Sequence, residues 1–332
     1  MNPFSHAIWM MNRPLDFALA GLGPDGIVML SNANRLQAYE LANGASRWDI
    51  SADLFFGSSG AGCVSHVPGQ KVLALVDAVT GEVRALDTRR RGVELPQPGW
   101  DNQRRLVIGD ELYVIFKAGE YRQLMRVVPG GGSLAPDGPR TPMPLRAQSG
   151  PDEMWLQWRK NEDGVRTSML SVWDGTATTT MAFPFGTLTV TPDWVGIFCE
   201  VPTGLAIRAF RRSALLQGIV EPTVTLQATQ RGFAAWRDQL LYVPEDGVVA
   251  CVDAVSGVEY WRRPVATPSP SVRVIRNTAF LGLTGVLDLL TDRVERFDGL
   301  GIHGPVVHAG HVLLRERERF ACVPVDAFGA MP

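Results

Sequence analysis

The sequence predicts an all-β chain built from repeated hairpins, and three observations predict it. The phrase VDAVTGEV at Val76 to Val83 returns as VDAVSGVE at Val252 to Glu259. Degenerate copies surround these two, with anchors 35 to 38 residues apart wherever consecutive copies are legible. The ends of the chain complement each other, because the last copy stops at its turn while the first residues supply a spare strand. Repeats of this length, at four strands apiece, are the mark of a β-propeller.

The elements follow in chain order. HAIWMMN, residues 6–12, has strand composition and carries Trp9. The first complete unit begins near DFALAGL and reaches LQAYELANGASRWDI, with Glu40, Gly44 and Trp48 in fixed offsets. In the second unit the apolar run Val72 to Val76 reads as a strand, Asp77 bonds its own backbone as the turn begins, and Gly81 supplies the positive φ that closes it. The 176 residues from Asp77 to Asp253 hold four steps of 44. Three further units are therefore expected there, around the hairpins ELYVIFKAGEYRQLMRVV, EMWLQWRKNEDGVRTSMLSVWDG and WVGIFCEVPTGLAIRAF. Then comes VVACVDAVSGVEYWRRPV, with Asp253, Gly257 and Trp261, followed by a worn copy in which Asp292 stands where Asp288 would call for glycine. The last anchor, Asp326, lies in VPVDAFGAMP and lacks an outer strand, so residues 6–12 are expected to complete that blade. The expectation is one domain over 1–332, with eight four-stranded blades, or seven as the alternative, closed by the N-terminal strand. Closure removes exposed strand edges.

The motif D-A-x-[TS]-G followed four residues later by Trp resembles the repeat of the pyrroloquinoline-quinone-type propellers. That family includes quinoprotein dehydrogenases and a noncatalytic outer-membrane assembly lipoprotein. The resemblance implies that Trp9, Trp48 and Trp261 wedge between neighbouring blades. It also implies what a quinone enzyme would carry, a vicinal cysteine pair and a calcium site, and this sequence has no Cys-Cys. The chain is accordingly placed on the noncatalytic branch, with no cofactor. One scaffold serves many tasks, so function must come from the sites.

Composition narrows those tasks. A net charge of −2 gives no field that would draw nucleic acid. The start, MNPFSHAIWMMNRPLDFALAG, has no basic n-region or long apolar stretch, and no window approaches a membrane span. Cys63, Cys199, Cys251 and Cys322 sit in separate strand-like runs and read as buried thiols of a reduced compartment. A cytoplasmic protein is expected, as a monomer or part of a hetero-complex.

Catalytic patterns are sparse. His308 and His311 in VVHAGHVLL flank a turn, and with His303 they offer three nitrogens but no complete tetrahedral set, so no metal site is expected. Ser58 and Ser59 lack a nucleophile elbow, and no helix is expected anywhere in the chain. The Gly-rich segment from Val127 to Pro142 reads as a flexible connection between blades.

Recognition is left to the loops. Thr88 to Gln103 combines Arg89, Arg90 and Arg91 with Trp100 and two prolines, the composition of an interface hot spot. Phe55 and Phe56, in the connection SADLFFGSSG, extend that patch. The leading expectation is a noncatalytic platform for one or more proteins in a bacterial cytosolic assembly, such as a defence or stress system or an immunity protein covering a toxin. The alternative is an enzyme, lyase or hydrolase in kind, or a small-anion binder using the central channel. Its innermost strands, among them GFAAWRD and SVRVIRN, offer apolar residues with scattered arginines.

Overall fold

The computed structural model describes residues 3–12, 18–22, 26–31, 35–51, 55–59, 62–66, 73–85, 106–108, 111–118, 121–128, 133–135, 138–142, 146–265, 272–281, 285–291, 293–296, 302–316 and 319–328. Among these residues the strands form eight antiparallel sheets. Seven have four strands, and the third has five because its last strand is interrupted. In seven of them the strands lie side by side in chain order.

The chain divides into two compact units, Asp16–Phe183 and Met1–Leu15 with Pro184–Pro332. The first holds the sheets of residues 18–51, 55–85, 106–142 and 146–182. The second holds those of 187–227, 233–264, 272–296 and 302–324, here called the fifth to the eighth.

The eighth sheet takes its outer strand from the other end of the chain. Trp9–Asn12 pairs antiparallel with Arg319–Pro324, with Trp9 opposite Cys322 and Asn12 opposite Arg319. The strand is shorter than the 6–12 expected, because Pro3–His6 winds into a 3-10 helix. Trp48 and Trp261 occupy the fourth strands of the first and sixth sheets, so the three tryptophans share one position in their sheets.

Burial on both faces is what stacks the sheets within each unit. Ile27, Met29, Leu36 and Ala38 of the first sheet meet Val76 and Ala78 of the second, with Trp48 and Ile50 packed against them. Tyr113, Ile115 and Leu124 of the third meet Met154, Leu156 and Trp173 of the fourth, where the Tyr113 and Trp173 rings meet edge to face at 5.0 Å. In the other unit Trp261 packs on a cluster shared by Leu241 and Cys251 of the sixth sheet with Leu281 and Leu287 of the seventh. Each such cluster removes apolar area from water at about 25 cal/mol per Å².

Three expectations are corrected. A helix is present, α1, Arg212–Leu216, between the third and fourth strands of the fifth sheet. The Gly-rich segment is not a free connection, since Ser133–Ala135 and Arg140–Pro142 both pair with Tyr121–Val128. Gly138 permits this return, because a Cβ there would stand 2.5 Å from Leu124 Cβ. Phe55 and Phe56 fall in the strand Phe55–Ser59 rather than in a connection.

Candidate functional site

The acid-glycine turns are built by local hydrogen bonding. Asp77 Oδ1 accepts the N–H groups of Val79 and Thr80 at 2.9 and 2.8 Å and the Thr80 hydroxyl at 3.0 Å. The Gly81 N–H donates to the Asp77 carbonyl at 2.9 Å. The sixth sheet repeats the arrangement, with Val255 N–H, Ser256 N–H and the Ser256 hydroxyl donating to Asp253 Oδ1 at 3.0, 2.7 and 2.8 Å. These donors, the Ser256 N–H foremost, hold the Asp253 carboxyl down at about 2. The Thr80 N–H likewise lowers Asp77 against the opposing effect of burial.

Asp174 was hidden in the sequence. It closes the fourth sheet's turn by accepting from the Thr176 and Ala177 N–H groups at 2.8 Å, which depresses its carboxyl, Ala177 contributing most. Its glycine, Gly175, follows the acid directly instead of four residues later, so the motif was not recognisable. The fifth sheet has no acid-glycine turn, because α1 and the residues after it take that place.

These turns stand beside the turns that join first and second strands. Leu41 N–H donates to Gly26 O at 2.6 Å, Ala254 to Asp238 at 2.9 Å and Leu289 to Asn277 at 2.8 Å. Both turns therefore occupy the same end of a sheet. Arg237 and Arg276 adopt φ of 54° and 53° there, in two-residue turns where glycine or asparagine is usual. Arg237 lies over the Trp236 ring at 4.7 Å, and Arg276 pairs with Asp326.

At this end the second residue of the turn faces the core and the third faces water. Ala78 and Ala254 are fully buried, whereas Val79, Val255 and Leu290 are 40%, 59% and 59% exposed. Val258 and Tyr260 extend the exposed apolar surface of the sixth sheet, with the Tyr260 hydroxyl reaching Asp253 Oδ2 at 3.1 Å. In the fifth sheet Leu216, Ile219 and Val220, at and beyond the end of α1, are exposed too. The two sheets touch at this level. A Cβ on Gly257 would meet Val224 Cγ2 at 2.9 Å, and Arg211 reaches Asp238 at 3.6 Å. Three successive sheets of one unit thus present apolar side chains at one end.

No family model matches the chain, and no curated protein matches its sequence. Among solved structures it is similar to BamB from Moraxella catarrhalis, at 12% identity and a TM-score of 0.61, over 96% of this chain and 99% of that one. It is also similar to the computationally designed Ika8 protein, at 12% and 0.56, over 93% and 96%. Saccharomyces cerevisiae Sqt1 matches at 8% and 0.57, over 96% and 98%. The fold is a β-propeller. At such identities the likeness concerns the backbone alone.

Arg89, Arg90, Arg91 and Trp100 lie outside the described residues, as do the side chains of Phe55 and Phe56. Trp48 Nε1 donates to Ala78 O at 3.0 Å, and Gly44 and Gly257 take φ of 72° and 71°. His308 and His311 pair across the Ala309–Gly310 turn, and among the described residues no three His, Cys, Asp or Glu side chains converge as metal ligands. Burial pushes the thiols of Cys251 and Cys322 up to about 12, which leaves them protonated at neutral pH. No helix among the described residues is long and apolar enough to cross a membrane.

Proposed function

We propose that the chain is a noncatalytic docking platform for another protein, with the sheets serving as the blades of its propeller. The observation that carries this reading is the row of outward apolar residues on the turns, above all Val255 and Leu290, each 59% exposed. Turn tips elsewhere in proteins are polar, because water solvates them at no cost. An apolar residue there contributes only when a partner covers it, and several in neighbouring sheets make a surface that one partner spans. The loop with Arg89, Arg90, Arg91 and Trp100, joined by Phe55 and Phe56, is proposed as a second contact region on the strength of its composition.

The repeat motif supports a place among pyrroloquinoline-quinone-type propellers without their chemistry. A cytosolic bacterial assembly is the proposed setting, and the free, buried thiols of Cys199, Cys251 and Cys322 in separate sheets support a reduced compartment.

Affinity capture from the native host tests the reading. A single stoichiometric protein should copurify with the wild type and be lost with Val255→Asp combined with Leu290→Asp. A partner retained by that variant and lost with Trp100→Ala and Arg90→Glu would move the interface to the loop. Recovery of a bound small molecule and no protein would replace docking by the enzyme reading.

A further inference from the structure

Arg273 occupies an unusual position among the arginines. Its strand, Val272–Ile275, is the first of the seventh sheet and pairs on one side only, with Thr278–Leu281. This strand touches the first strands of the sixth and eighth sheets, so its open edge lies beside theirs. A two-residue turn joins Ile275 to Thr278, which makes that pair and the Arg273–Phe280 pair the hydrogen-bonded ones. The N–H groups of Val272 and Val274 are consequently directed to the open edge.

The neighbouring first strand, Ile302–His308, is irregular where Arg273 reaches it. Its register shifts between His303 and Val306, and Pro305, inside that bulge, turns its carbonyl to Arg273 Nη1 at 3.4 Å. Bulges commonly re-aim groups beside binding sites. This long contact uses one of the five guanidinium donors.

Other arginines of the protein have carboxylate partners, as Arg262 does with Glu259 and Glu245, Arg84 with Glu82, and Arg126 with Glu111. Arg273 has no carboxylate within ion-pairing distance among the described residues. It is exposed to solvent, yet surrounding protein strips enough water from it to push its pKa below the ordinary guanidinium value. In such surroundings a charge interacts more strongly than in bulk water.

We infer that Arg273, with the open-edge N–H of Val274, forms a binding site for a small oxyanion, a carboxylate or a phosphate. The guanidinium fork supplies two parallel donors to such a group, and the bulge carbonyl of Pro305 fixes the fork's orientation. The site is separate from the turn end of the sheets and stands whether or not that end docks a protein.

Calorimetric titration with sodium phosphate and with sodium acetate, at ionic strength held constant with sodium chloride, tests it. Saturable binding of either anion should occur in the wild type, phosphate alone marking a phosphate site and acetate alone a carboxylate site. Arg273→Gln should weaken it about tenfold or more, since charge-assisted bonds are lost. Arg273→Lys, which keeps the charge and loses the fork, should weaken it by a smaller factor, while Arg262→Gln should leave it unchanged. Circular dichroism verifies that each variant is folded, and Arg273→Lys carries the test if Arg273→Gln is not. Equal binding by wild type and Arg273 variants, or no saturable binding of either anion, would overturn the inference.

Discussion

The turns Asp77–Gly81 and Asp253–Gly257 have nearly the same sequence and the same hydrogen bonds, but they rest on different neighbours. A Cβ on Gly81 would stand 2.7 Å from Cγ of Trp48, the root of a large ring that is itself bonded to Ala78 O. A Cβ on Gly257 would stand 2.9 Å from Cγ2 of Val224, the tip of a small side chain. The comparison separates what a turn does for itself from what the preceding sheet does with it. Local chemistry is repeated, and packing is not.

The largest effect should come from removing the ring. Trp48→Ala should cost about 2 to 3 kcal/mol in urea unfolding, through lost packing and the lost bond to Ala78 O. Gly81→Ala should cost about 2 to 3 kcal/mol, because a left-handed φ and a clash with a fixed ring act together. In a Trp48→Ala background that cost should fall to about 1 kcal/mol, the conformational part alone. An undiminished cost in the double variant would mean that the ring does not fill the space above Gly81. Gly257→Ala should cost about 1 to 2 kcal/mol, less than Gly81→Ala, because Val224 can shift.

A smaller effect separates the charge from the turn geometry. Asp253 is held at about 2, below its ordinary value of 3.8, so its ionised form is favoured by folding. Its contribution is complete above the unfolded value and is lost as pH falls through the acid range toward about 2. The stability gap between wild type and Asp253→Asn should therefore narrow on acidification, and a gap independent of pH would show that the charge is immaterial. Asp77→Asn should behave in the same direction. The least effect on stability belongs to Val255→Asp and Leu290→Asp, within about 0.5 kcal/mol of wild type, since these side chains face water.

Much of the fold was legible because its signals are local. Asp, a small residue and Gly at fixed offsets specify a turn from the hydrogen-bonding capacity of one carboxylate. Alternating apolar strands on either side specify hairpins. The missing outer strand after Asp326 pointed to the strand at Trp9. Where the turn was rebuilt, the reading failed. Asp174 and Gly175 carry a different spacing, and the fifth sheet substitutes α1, whose RSALL sequence is too short to announce a helix. The Gly-rich segment looked unstructured, because what makes Arg140–Pro142 a strand is its pairing with Tyr121–Gln123, distant in sequence. The candidate surface was less visible still. Val79, Val255 and Leu290 look like ordinary core residues in an apolar run until the turn geometry directs them outward.

By itself the sequence determined the kind of unit, its approximate length, the residues of its turn and the use of both chain ends in one sheet. Those properties depend on backbone φ, on a carboxylate's reach and on strand periodicity, all of which act within a few residues. The tertiary structure decided which side chain fills the space above each glycine, which turn residues are left in water, and that Arg273 meets a bulge rather than a carboxylate. These depend on the distance between sheets, which is set by the packing of many side chains at once and is written at no single position.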